Sequence, residues 1–173
     1  MSGRECGTCT LCCKVMGIVE LDKPRNVWCE HAIPGRGCGI YEQRPESCRV
    51  FSCLWLLDEA LGENWKPEKS KLVIVPDGDT GATRVYVDAA APEAWKKEPY
   101  FSSLLDFMQK GLSEGRLLFI NVGNKHGLLL PDPKTRWRLE DLGTLKAGDQ
   151  VRLKRGGLPF AVDYQVEIVK GPA

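Results

Sequence analysis

Apolar residues change their spacing as the chain proceeds. Through residue 53 no long periodic pattern survives, because Gly3, Gly7, Gly17, Gly35, Gly37 and Gly39, with Pro24 and Pro34, interrupt every candidate run. The segment KVMGIVEL (14–21) predicts a short strand. The segment RPESCRVFSCLWLLDEALG (44–62) predicts a helix, with Pro45 in its first turn and Glu46 at the positive end of its dipole. Val50, Phe51, Leu54, Trp55, Leu57 and Leu61 would form the apolar face, and Gly62 would end it.

Further on, alternation takes over. KLVIVPD (71–77) and TRVYVDAA (83–90) predict two strands around the turn DGDTGA. Residues 93–115 predict a helix, with Leu104, Leu105, Phe107, Met108 and Leu112 along it and Gly115 after it. RLLFINVGNKHGLLLP (116–131) predicts a hairpin with Gly123 and Asn124 near its tip, and DQVRLKRG (149–156) and YQVEIVK (164–170) predict closing strands. The expected fold class is α+β: a loop-rich N-terminal cysteine module (1–62) packed against a mixed helix and antiparallel-sheet region (63–173), as two units or as one continuous domain.

Composition narrows the function. The chain has 173 residues, 43% hydrophobic and 27% charged, and a formal net charge of +1. Such a length buries a core without disulfides. The near-neutral charge disfavours nucleic acid and an anionic membrane as partners. The polar start, MSGRECGT, lacks the apolar stretch of a secretory signal, and no run of 18 apolar residues exists to span a bilayer. The expected location is the cytoplasm, where thiols stay reduced and clustered cysteines read as metal ligands before disulfides.

All eight cysteines fall between Cys6 and Cys53. Cys6, Cys9, Cys12 and Cys13 form C-x-x-C-x-x-C-C, in which each C-x-x-C loop lets two thiolates converge on one ion while small intervening residues free backbone N–H groups for the sulfurs. Cys29, Cys38, Cys48 and Cys53 supply distant ligands that would couple metal binding to folding. Adjacent side chains rarely aim at one point, so Cys12 and Cys13 are expected at different ions or different corners of a cluster. On one helix, Cys48 and Cys53 would stand roughly 140° apart and would not share an ion. Two zinc ions in eight thiolates would carry about −4, and a four-iron cluster in four thiolates about −2. Arg4, Lys14, Arg36, Arg44 and Arg49 lie close in sequence and are candidates to offset that charge, or simply solvated surface residues. Thiolates suit zinc and iron–sulfur clusters alike, so the metal stays open.

CGTCTLCC, followed by WCEHAIPGRGCGIYEQRPESCR, closely resembles the CxxCxxCC cysteine-cluster family, described as zinc- or iron-chelating. The likeness covers the first third of the chain and runs through Cys29, Cys38-Gly39-Ile40-Tyr41, Arg44-Pro45 and Cys48-Arg49. It implies that Cys6, Cys9, Cys12, Cys13, Cys29, Cys38 and Cys48 are metal ligands; Cys53 lies beyond the motif. Flagellin lysine methylases carry a similar pattern in a much longer chain, and no activity transfers from them.

Other candidates have plainer readings. His31, two residues after Cys29, is a candidate ligand, but with eight thiols at hand it is expected at the surface or just outside the ligands, and His126 at an exposed hairpin tip. Asp77 and Asp79 sit in a turn, since no glutamate closes a calcium loop. The run RLKRGG (152–157) reads as a solvated strand end without an aromatic stacking platform, and Trp28 and Trp55 as covers over the cysteines. No nucleophile elbow, zinc-protease helix, phosphate loop or dinucleotide fingerprint appears. The expected function is metal binding through clustered thiolates, with metal ions and an unidentified protein as partners. The alternative is an iron–sulfur protein that is redox-active or part of a modifying enzyme.

Overall fold

The computed structural model describes residues 3–171, apart from 79, 147, 159 and 160. The fold is α+β. In the first third, α1 (Leu11–Val15) is followed by a 3-10 turn at Val19–Leu21, a small hairpin of β1 (Ala32–Ile33) and β2 (Gly37–Cys38), and two short helices, α2 (Glu46–Val50) and α3 (Leu54–Leu57). The strand expected over 14–21 is absent. Lys14 and Val15 continue the helix begun by Leu11, whose Leu11 and Val15 are buried at i and i+4. The helix expected over 44–62 is broken, because Phe51 and Cys53 are extended and Cys53 opens a separate helix. The predicted apolar face breaks with it: Trp55 is buried, whereas Val50 and Leu57 are exposed.

Then α4 (Pro67–Ser70), with Pro67 at its first position, leads into the main sheet. Among the described residues this sheet has the order β3 (Leu72–Pro76), β4 (Thr83–Val87), β5 (Leu118–Val122), β6 (Lys125–Leu130) and β7 (Arg138–Gly143). Neighbouring strands are antiparallel except β4 and β5, which are parallel. A parallel pair needs a long crossover, and α5 (Tyr100–Ser113) supplies it. The expected helix over 93–115 is shorter because a 3-10 turn at Ala94–Lys96 and Pro99 precede it. Strand β7 was not read in the sequence, and β8 (Gln150–Leu158) and β9 (Ala161–Val169) form their own antiparallel ribbon.

Register sorts the sheet into two faces. Ile74, Val85 and Ile120 stand in one row, and they are buried in a cluster that also contains Leu104 and Met108 of α5. Phe119 and Leu128 face the other way and are buried with Leu142, against which Val151, Leu153, Tyr164 and Val166 of the ribbon pack. The first cluster extends into the N-terminal third through Leu11, Val15, Cys53 and Trp55. The cysteine-bearing helices are thus seated on the same core as the sheet. No helix among the described residues is long and apolar enough to cross a membrane.

Candidate functional site

Short local devices bring the cysteines together. The Cys9 N–H donates to the Cys6 carbonyl at 3.0 Å and closes the first C-x-x-C turn; Cys12 and Cys13 follow inside α1. The Cys29 N–H donates to the Cys13 carbonyl at 3.0 Å, which docks a distant thiol against the first cluster. Cys38 lies in β2, Cys48 in α2, and Cys53 at the start of α3. The β1–β2 hairpin approaches the first loop so closely that a side chain at Gly37 would lie 2.6 Å from the Gly7 carbonyl oxygen. Gly37 also has φ +101°, a conformation only glycine adopts without strain.

All eight cysteines are free thiols. Every one except Cys29 lines a single cavity of about 570 Å³, together with Arg4, Arg44, Arg49 and Trp55. Mutual electrostatic influence divides the thiols into two neighbourhoods. Cys6 responds first to Cys53 and Cys9 and last to Cys13, and Cys12 to Cys13, Cys6 and Cys9. Cys48 responds instead to Cys13, Cys29 and Cys38. Cys12 and Cys13 join the two sets through a direct thiol hydrogen bond. Among the described residues, no three thiol, imidazole or carboxylate groups are already drawn together at ion-ligating spacing. The thiols share a chamber but would have to close in to grip an ion.

Burial pushes the thiols of Cys6, Cys9, Cys48 and Cys53 above their ordinary value. At Cys9 the amides of Leu11 and Glu68, and at Cys53 those of Leu56 and Trp55, act against that push. Cys12 is raised well above its ordinary value, first by its hydrogen bond to Cys13 and then by burial. Cys13 goes the other way, to about 7, because the Cys12 thiol donates to its thiolate and the Lys23 ammonium stands near.

Lys23 is the cation that sequence reasoning missed. Its residue is 9% exposed, and its ammonium donates to the carbonyls of Lys14 (3.2 Å), Pro24 (3.1 Å) and Met16. It faces Cys29, Cys13, Cys12 and Cys48. Three carbonyls satisfy an ammonium's three donors, and none of them neutralises its charge, which is left for the thiols. Proximity in sequence gave no cue, since Lys23 is six residues from its nearest cysteine.

The other cations divide by task. Arg4 donates to the carbonyls of Trp55 (2.8 Å), Asp58 (3.0 Å), Glu59 (3.1 Å) and Leu61 (2.6 Å), closing the open end of α3. Lys14 pairs with Asp88 at 2.6 Å, near the end of β4. Arg44 stacks on the Tyr41 ring at 3.7 Å, donates to the Tyr41 carbonyl at 3.3 Å, and favours the Cys6 thiolate. Arg49 is anchored by Glu46 at 2.6 Å across i and i+3, and its side chain lines the cavity without a sulfur contact. Arg36 is exposed.

Two buried donors on the cavity wall are left over. Among the described residues, the Trp55 Nε1–H and the Arg44 Nε–H have no hydrogen-bond acceptor. Buried donors without partners are rare, and here both belong to residues lining the thiol chamber. The donor set therefore fits a thiolate-rich, negatively charged centre, in which sulfur would accept from these groups.

The histidines stand apart. His31 is half-buried beside Glu30 at 3.6 Å and does not line the cavity. His126 is not at an exposed tip. It lies within β6, half-buried, with Nδ1 2.7 Å from Asn121 Oδ1. Trp55 lies under the thiols as expected, but Trp28 is 51% exposed. Asp77 closes its turn through hydrogen bonds with Ala82 and Gly81, while Asp79 lies outside the described residues. No family model, curated protein or solved structure matches the chain.

Proposed function

We propose that this protein binds metal through its eight cysteine thiolates, in two sets. Cys6, Cys9, Cys12 and Cys53 form one, and Cys13, Cys29, Cys38 and Cys48 the other. The observation that carries the reading is the single chamber lined by every cysteine but Cys29, with two unpartnered buried donors on its wall. Four thiolates per set match the closed shell of structural zinc or the ligand count of an iron–sulfur centre. The sequence likeness to the CxxCxxCC family points the same way, and we place the chain there as part of this proposal, with the cytoplasm as its location. When bound, the metal would supply cross-linking of the loops, and in an iron–sulfur form also electron transfer.

This chain's own residues would do the rest. Arg44 and Lys23 offset thiolate charge, Trp55 and Arg44 offer N–H groups to sulfur, and α1, α2 and α3 turn the thiols inward. The cavity volume favours a second reading, since about 570 Å³ lies in the range of small-molecule and cofactor sites and exceeds the need of one ion. That reading is an iron–sulfur protein, redox-active or serving a protein-modifying reaction. Anaerobically purified protein separates the two, being colourless with zinc and brown with a cluster. A strong chelator should melt residues 3–53 before the sheet, read by amide hydrogen exchange. Equal protection of that segment with and without chelator would refute both readings.

A further inference from the structure

A polar row crosses one face of the main sheet. In register, Val73 lies opposite Tyr86, Tyr86 opposite Asn121, and Asn121 opposite His126. All four therefore share a face, and Arg84, two residues before Tyr86, shares it too. Asn121 is only 2% exposed. Its amide donates to the Val85 carbonyl at 3.5 Å, which turns Oδ1 toward His126 Nδ1, 2.7 Å away. The imidazole is thus held as the Nδ1–H tautomer, and Nε2 is the free edge of the ring.

Two guanidiniums stand beside this row, Arg25 over Tyr86 and Arg84 in the neighbouring row on the same face. Arg25, from the loop after Lys23, lies over the Tyr86 ring at 4.8 Å, and Arg84 over the Phe119 ring at 4.7 Å. Both act on His126 strongly enough, after burial, to disfavour its protonation. Arg84 Nε lies 3.6 Å from the Asp77 carboxylate. Arg25 Nε is buried and has no hydrogen-bond partner among the described residues. Like charges gathered beside a buried amide, with a donor left over, are costly to fold unless a counter-anion joins them. The loop itself is tied to the hairpin tip, where Asn26 donates to Asn124 at 3.3 Å. The cluster thus spans the cysteine-bearing segment and the sheet.

We infer that Arg25, Arg84 and His126, positioned by Tyr86 and Asn121, form a binding site for a small phosphate-type oxyanion. Planar guanidiniums suit two oxygens of such an anion, and His126 donates a third hydrogen bond from Nε2 once the anion's charge favours its protonated form. None of Arg25, Arg84 and His126 lines the thiol chamber, although Val73 of the same row does, and the proposal does not rest on the metal reading.

The test is a titration of the full chain with inorganic phosphate at constant ionic strength, read by NMR of the His126 ring and the arginine Nε–H groups. The expected result is a saturable shift of His126 that reports a rise in its pKa. Arg25→Gln and Arg84→Gln should each weaken binding at least about tenfold, the scale of one charge-assisted hydrogen bond. Arg25→Lys, which keeps charge and loses the fork, should fall between. Arg152→Gln, on the exposed ribbon, should bind as the parent does. Should Arg25→Gln fail to fold, Arg84→Gln and His126→Gln carry the same test from the sheet. Shifts that grow linearly without saturation, or that persist unchanged in the folded arginine variants, overturn the site.

Discussion

Cys12 and Cys13 are adjacent in the chain and joined by a thiol hydrogen bond, yet each faces a different group of cysteines. Successive residues of a helix point about 100° apart, so α1 divides its two thiols between neighbourhoods.

The two-set arrangement makes single substitutions selective. Cys12→Ser or Cys53→Ser should cost the metal of one set, and Cys13→Ser or Cys48→Ser that of the other. Each should leave about half the bound metal, with the affinity of the damaged set reduced 10–100-fold or more. Metal content after dialysis against a weak chelator measures this. Complete loss from every single variant would replace two sets with one shared centre.

Lys23 sets the charge balance of the second set. In the metal-free, reduced protein, Cys13 titrates at about 7, through the Cys12 hydrogen bond first and the Lys23 ammonium with it. Lys23→Met should raise that value, so the thiolate fraction at pH 7 falls and alkylation of Cys13 slows several-fold. It also leaves three partly buried carbonyls without this donor, and water can replace part of what is lost, so the stability cost stays near the low end of about 1–3 kcal/mol in all. An unchanged alkylation rate in a folded variant would remove Lys23 from the electrostatics of the thiols.

The Lys14–Asp88 pair, with side chains 16% and 10% exposed, fastens α1 beside the end of β4. Burial pushes the Asp88 carboxyl up, but the Lys14 and Ala90 hydrogen bonds outweigh it and hold it below its ordinary value. A carboxyl depressed in the folded state stabilises above its unfolded value and loses that contribution as acid protonates it. The loss should therefore begin below about pH 4. Lys14→Met should cost about 3 kcal/mol by leaving Asp88 buried and unpaired, whereas Lys14→Met with Asp88→Leu should cost less. Thermal melts from pH 7 down to 3 check both, and a Lys14→Met melt identical to the parent's would deny the pair its role.

Much of this was legible in the sequence, and the failures have physical causes. The short β-branched runs of KLVIVPD and TRVYVDAA around a turn marked β3 and β4, and Gly123-Asn124 marked the β5–β6 turn. The parallel pairing of β4 with β5 was hidden, since pairing partners are not written into local spacing. In residues 44–62 the 3.6-residue pattern was genuine, but tertiary packing overrode it: Trp55 is drawn into the core while Val50 stays out. Strand β7 carries Glu140 and Asp141, and its burial alternates too weakly to announce a strand. The gathering of seven of the cysteines around one chamber was readable from their spacing; the two ligand sets proposed above part at Cys12 and Cys13, where the sequence reading expects different ions or different corners of one cluster. Lys23 was invisible because its neighbours are carbonyls and thiols brought in by folding.

The most direct measurement is metal and acid-labile sulfide per chain in protein isolated without oxygen, from the parent and from the Cys12→Ser/Cys13→Ser double variant. Metal held by the parent in stoichiometric amount, two zinc ions or the iron and sulfide of cysteine-bound clusters, and lost from the double variant, is the predicted result. A folded parent that carries neither metal nor sulfide, and takes up neither zinc nor iron under reducing conditions, would contradict the account.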